Sequence, residues 1–285
     1  MQNMQLKELI KECFDCIKSK NYQLARHAGE NAVRLCPNSV DAHWCLGKVY
    51  YYLARFNPNY FNFSIGELKR AEELARSMDN KSDKRDLAAT CSEFGDDCKR
   101  HGLISYALPY YEESLRIYTD LSDIEGKCIV LNNIAEIYEM GNYNKALEYY
   151  NKAIECFKKA MKTYQENGDS SKTAQSMINM VRVYIKLKDF SEAEHYLTQG
   201  LKMVKKLVDK DLEAYAYETY GLLYSTYSVQ YTTQNQEDLV KEYFTKSYNY
   251  FTKSYNLYKS IGNNSEAQRI YEAYLKKMNE LNKHI

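Results

Sequence analysis

Residues 131–155 read LNNIAEIYEMGNYNKALEYYNKAIE, and this stretch decides the fold. Its small and apolar residues fall at steps of three, four and seven, which places them on one face of an α-helix. Ala135 is followed by Tyr138; after a break at Gly141–Asn142 come Ala146, Tyr150 and Ala153. Small side chains on a helix face let two backbones approach closely, and an aromatic neighbour fills the space beside the crossing. The stretch therefore reads as two helices packed as an antiparallel hairpin.

Outward from this segment the pattern recurs to make six copies. The first-helix pairs are Cys13/Cys16, Gly47/Tyr50, Gly95/Cys98, Ala135/Tyr138, Val181/Tyr184 and Gly221/Tyr224. The second-helix sets are Ala25/Gly29/Ala32, Ser64/Leu68/Ala71, Ala107/Tyr111/Ser114, Ala146/Tyr150/Ala153, Ala193/Leu197/Gly200 and Val240/Phe244/Ser247. One hairpin cannot bury its whole apolar face, so such units must stack in series. With only 3 prolines and 11 glycines, the chain lacks the punctuation a many-stranded protein needs.

Residues 131–155 resemble a tetratricopeptide repeat, and IYTDLSDIEGKCIVLNNIAEIY resembles the longer-period repeats of kinesin light chains, spindle-orientation adaptors and bacterial peptide-pheromone receptors. The resemblance extends over nearly the whole chain. It implies an all-α fold, a right-handed α-solenoid of about six tetratricopeptide hairpins closed by a C-terminal capping helix. The expected division is 1–79 for units one and two, 80–264 for units three to six, and 265–285 for the cap, with a hinge near 78–86. The repeats begin by about Leu6, so no N-terminal effector domain is expected.

Spacing adds detail. From the second-helix small residue to the next turn is 16 steps for Ala107–Asp123 and Ala193–Asp209, but 23 for Ala146–Asp169 and Val240–Asn263. The sequence YFTKSYN at 243–249 is repeated at 250–256, and a seven-residue insertion keeps the buried face while lengthening a helix. The second helices of units four and six are thus expected to protrude, offering a surface for self-association. Extra loop residues are expected around 55–63 (RFNPNYFNF) and 228–237.

The resemblance implies a concave groove lined by first helices and occupied by a protein or peptide ligand. Its candidate residues are Ile129, Asn132, Asn133 and Glu136 in unit four, Gln175, Ile178, Asn179 and Arg182 in unit five, and Tyr215, Glu218, Thr219 and Leu222 in unit six. Asn133 and Asn179 occupy equivalent places, and in the long-period relatives asparagines there hydrogen-bond a peptide backbone. An amide suits that task because it carries both donors and an acceptor. The Lys/Asn/Arg set that grips chaperone tails is not reproduced on three consecutive units.

Lys+Arg (39) nearly balance Asp+Glu (38), and no long basic run occurs, so nucleic acid is not an expected partner. No run of about 18 apolar residues is present, so a membrane span is excluded and no membrane partner is expected. Cys13 and Cys16 form the one C-x2-C; with Cys36 and His43 it could suggest zinc, but Cys13, Cys16, Cys91 and Cys98 fall on core faces. The cysteines read as buried thiols of a cytoplasmic protein, with no metal or cofactor. His27, His43, His101, His195 and His284 are scattered, and the pairs Glu72/Glu73 and Glu112/Glu113 read as solvated helix positions. None of the phosphate-binding, zinc-protease or nucleophile-elbow motifs occurs, so the chain is not expected to be an enzyme. An adaptor or scaffold is the leading expectation; a peptide-sensing receptor and a self-assembling structural protein are the alternatives.

Overall fold

In the computed structural model, the described residues are 2–77, 81–100, 102–276 and 278. Among them the chain is all-α, of the α-solenoid class, with thirteen α-helices and no strand. In order they are α1 (Gln2–Lys18), α2 (Tyr22–Leu35), α3 (Val40–Ala54), α4 (Tyr60–Ser77), α5 (Lys81–Arg100), α6 (Ile104–Asp120) and α7 (Ile124–Glu139). Then follow α8 (Tyr143–Glu166), α9 (Ser170–Leu187), α10 (Phe190–Leu207), α11 (Lys210–Thr232), α12 (Glu237–Ser260) and α13 (Asn264–Ile270). A π-helical turn, Tyr271–Leu275, continues α13.

The turn residues marked in the sequence are helix N-caps. Asp123, Asp169 and Asp209 accept backbone N–H bonds from Gly126 (3.1 Å), Lys172 (2.9 Å) and Leu212 (3.0 Å), and Asn263 does the same for Glu266 (3.3 Å). Each satisfies one of the donors that a helix start leaves unpaired, at a gain of about 1 kcal/mol.

Contacts divide the chain into two compact units, Met1–Tyr149 and Tyr150–Ile285, with the division falling inside α8. This is not the 78–86 segment: α5 already begins at Lys81, and residues 78–80 lie outside those described. Most of the expected cap, 277 and 279–285, also lies outside them.

Within unit 1, α1 to α7 pack successively as hairpins, and within unit 2 α9 to α13 do likewise. The small residues sit where the helices cross. A Cβ on Gly95 would stand 2.6 Å from the Tyr111 ring, and one on Gly221 would stand 2.7 Å from Phe251. Nothing larger than hydrogen fits at either place.

The Gly221–Phe251 contact corrects one sequence assignment. In the last hairpin the crossing set is Ser247/Phe251/Ser254, all buried, whereas Val240 and Phe244 are only half-buried. Ser247 to Asn263 is 16 residues, the same as Ala107 to Asp123. The extra length of this hairpin therefore lies at its tip. Residues 228–232, expected in a loop, continue α11, which has 23 residues against 18 in α9. The expected lengthening of α8 and α12 is present, at 24 residues each.

Tyrosines hold that tip together. Tyr220, Tyr224, Tyr227 and Tyr231 form a row along α11, and Tyr243 and Tyr250 of α12 lie against it with ring centroids 4.8–5.9 Å apart. Ring pairs of this kind add about 1 kcal/mol beyond the area they bury.

Candidate functional site

On α9 the residues Gln175, Asn179 and Arg182 are half-buried, spaced four and three apart, and so share one accessible face. Asn179 stands at the centre. Its Oδ1 accepts a hydrogen bond from the Tyr215 hydroxyl of α11 (3.0 Å) and another from Gln175 Nε2 (3.1 Å). With the carbonyl oxygen fixed in this way, the two N–H groups of its amide remain for another acceptor.

Beneath this face lies Glu218, 1% exposed. Arg269 of α13 grips it at both oxygens (3.0 and 2.6 Å), Tyr274 donates its hydroxyl (3.3 Å), and Arg182 approaches to 3.9 Å. A buried carboxylate needs such compensation, because removing it from water costs several kcal/mol. Glu218 is thus a support for the arginines above it rather than a group open to a ligand. Ile178 and Thr219 are fully buried, the latter donating to the Tyr215 carbonyl (3.0 Å), so both belong to the core instead of an open groove. Leu222 is half-buried.

The candidates in unit 1 are arranged differently. Asn133, the sequence equivalent of Asn179, is buried at 9% exposure. Asn132 is more accessible as a residue, yet its Oδ1 is buried and has no hydrogen-bond donor. Glu136 is paired with Lys99 of α5 (2.6 Å), and Ile129 is exposed.

Sequence reasoning missed a second cluster in unit 1. Trp44 and Lys48 stand three before and one after Gly47, as Asn132 and Glu136 stand about Ala135. The repeat register would have found them, had it been applied to unit two. The Trp44 indole donates to Thr90 Oγ1 of α5 (3.1 Å), and Phe14 of α1 meets it edge-on at 6.4 Å. The Lys48 ammonium lies 4.4 Å from the Trp44 ring centre, a cation–π arrangement. Burial lowers the pKa of Lys48, and nearby Glu93 and Asp86 offset this only in part.

Several groups set aside on sequence grounds also need revision. Glu72 and Glu113 are not solvated: they are 2% and 5% exposed and share Arg116, at 2.9 and 2.6 Å. Cys91 and Cys98 are buried thiols as expected, but Cys13 is disulfide-bonded to Cys45 of α3, which the packing of α1 on α3 brings beside it. No group of residues able to hold a metal occurs among those described. His195 is exposed and hydrogen-bonded to Gln199 (2.9 Å), not to a carboxylate.

The helices pack in series as hairpins, and α9 presents a row of half-buried polar side chains. The profile of the tetratricopeptide repeat matches residues 86–159 and 150–206 of the chain. Comparison with curated proteins finds no match. Among solved structures, similar ones are the apo form of RapI (17% identity, 98% of this chain and 99% of that one covered, TM-score 0.46) and BtubC from P. vanneervenii (19%, 79% and 93%, 0.42). Aspartyl phosphate phosphatase F from Bacillus subtilis is another (14%, 99% and 71%, 0.47). At these identities the likenesses carry nothing about function.

Proposed function

We propose that this protein is an adaptor that binds an extended peptide segment of a partner protein, with the α9–α11 face of unit 2 as a main contact surface. The observation that carries the reading is the fixed amide of Asn179. Two internal donors occupy its oxygen and orient its N–H groups, beside Arg182, which neighbours Tyr215 and stands 3.9 Å from Glu218. A peptide carbonyl suits the amide, and a carbonyl or carboxylate suits Arg182. Tyr215 and Leu222 supply apolar area beside them.

The test starts from peptides selected against the full chain from a displayed random library. Asn179→Ala and Arg182→Ala should each weaken the best peptide about ten-fold, the worth of one hydrogen bond to a charged or well-placed group. Unchanged affinity in both variants, with unchanged melting, would remove this face from the proposal.

A further inference from the structure

The insertion at residues 55–63 has no part in the α9–α11 face, yet it carries the most exposed large apolar residue of the described chain. Phe56 is 76% exposed at the loop between α3 and α4, and Phe63, on the first turn of α4, is 57% exposed. Exposing two phenylalanines to water is unfavourable, and nothing in hairpin packing requires it.

These rings belong to a larger aromatic surface. Tyr22, at the start of α2, stacks on Tyr52 (5.4 Å) and meets Phe56 (6.2 Å); Phe63 lies against Tyr50 (5.7 Å) and Tyr60 (6.0 Å). The α1–α2 and α3–α4 turns are therefore neighbours on one edge of unit 1, as antiparallel hairpins in series require. Glu30 of α2 accepts from the Tyr50 hydroxyl (3.3 Å) and pairs with Arg26 (3.5 Å), but the two turns themselves carry one sign of charge. Segments 18–24 and 54–63 contain Lys18, Lys20 and Arg55 and not one acidic residue. Lys18 is 81% exposed and stands 4.0 Å from Asp15, while Arg55 stacks on Tyr52 (5.4 Å). The turn of the fourth hairpin repeats the composition: Met140 and Tyr143 are 69% and 66% exposed, and Lys145 lies over Tyr138.

We infer that this edge docks on the surface of a negatively charged lipid bilayer. Rings of Phe and Tyr settle at the boundary between headgroups and acyl chains, and flanking Lys and Arg meet anionic headgroups. A bilayer takes both features at once without a pocket, which suits a loop tip better than a cleft-bearing protein partner. The contact is peripheral: no described helix is long and apolar enough to cross a membrane. Each cation near such a surface multiplies binding about five-fold, so three give on the order of a hundred-fold.

Sedimentation of the full chain with vesicles tests this. Binding is expected to vesicles of phosphatidylcholine with one-third phosphatidylserine, to be at least ten-fold weaker on phosphatidylcholine alone, and to fall as salt rises. Phe56→Ser with Phe63→Ser should cut it at least ten-fold, as should Lys20→Glu with Arg55→Glu, and both pairs should leave far-ultraviolet circular dichroism unchanged. Asn179→Ala should leave vesicle binding untouched. Failure to bind the charged vesicles overturns the inference, as does binding indifferent to both pairs. So does a concentration-dependent dimer that the Phe pair abolishes, which would make a second copy the occupant.

Discussion

Arg116 in unit 1 and Arg269 in unit 2 do the same chemical task in different places. Each guanidinium is 42% exposed and holds carboxylates that the fold has taken from water: Glu72 and Glu113 in the first case, Glu218 in the second. Arg116 lies between α4 and α6, second helices of consecutive hairpins, and joins them. Arg269 instead reaches from α13 to α11, on the face where Asn179 and Arg182 are presented. One ion cluster is architecture. The other supports a surface with chemistry to offer, where Arg182 stands 3.9 Å from Glu218 beside Tyr215.

The comparison breaks most sharply at Arg116. Arg116→Ala removes the cation that Glu72 and Glu113 share, and breaking a buried pair costs 3–5 kcal/mol in general. Part of the guanidinium is in water, so about 3 kcal/mol is expected, read as a lower urea midpoint. Changing Glu72 and Glu113 to Gln in an Arg116→Met background should recover most of it. If Arg116→Ala melts like the parent, the cluster is not what joins α4 to α6.

Arg269→Ala should cost less, about 2 kcal/mol, because Glu218 keeps the Tyr274 hydroxyl and has Arg182 close by. Hydrogen exchange should quicken in α13 and the following π-helical turn and stay unchanged in α4 to α6. The variant also sharpens the functional contrast. Arg182 would be drawn onto Glu218, so a peptide that uses Arg182 should bind more weakly, whereas Arg116→Ala should leave its affinity alone.

Neither cluster was legible in the sequence, and the reason is distance along the chain. Arg116 finds Glu72 across 44 residues and Arg269 finds Glu218 across 51, so local spacing marks Glu72 and Glu113 merely as polar helix positions. What was legible is whatever helix crossings and the turns between them demand: Gly95, Ala135 and Gly221 had to be small, and Asp123, Asp169 and Asp209 marked turns, where the structure shows them capping helices. The register of the last hairpin was ambiguous for a related reason. Two consecutive YFTKSYN copies present the same face when shifted by seven residues, and only the contact of Phe251 with Gly221 decides between them. Asn133 and Asn179 show the limit for the site: equal places in the repeat, one buried and one accessible.

The smallest expected effect is a pH dependence confined to unit 1. His43 is 7% exposed, and its two ring nitrogens face acceptors: Nδ1 the Glu67 carboxylate (2.6 Å) and Nε2 the Pro37 carbonyl (2.9 Å). Burial alone would lower its pKa, and Arg70 adds to that, but the bonds to Glu67 and Pro37 outweigh both and raise it above the ordinary 6.5. Only the doubly protonated ring can donate to both acceptors. Since the folded value lies above the unfolded one, the stabilisation is complete below about pH 6.5 and is lost as the pH climbs through the folded value. Exchange of the α3 and α4 amides should therefore quicken from neutral toward mildly alkaline pH beyond the intrinsic rate, and His43→Gln should flatten that slope. The one described histidine of unit 2, His195, is exposed, so α9 to α11 provide the internal reference. An identical slope in both units, or one that survives the substitution, would take His43 out of the account and leave unit 1 distinguished by Arg116 alone.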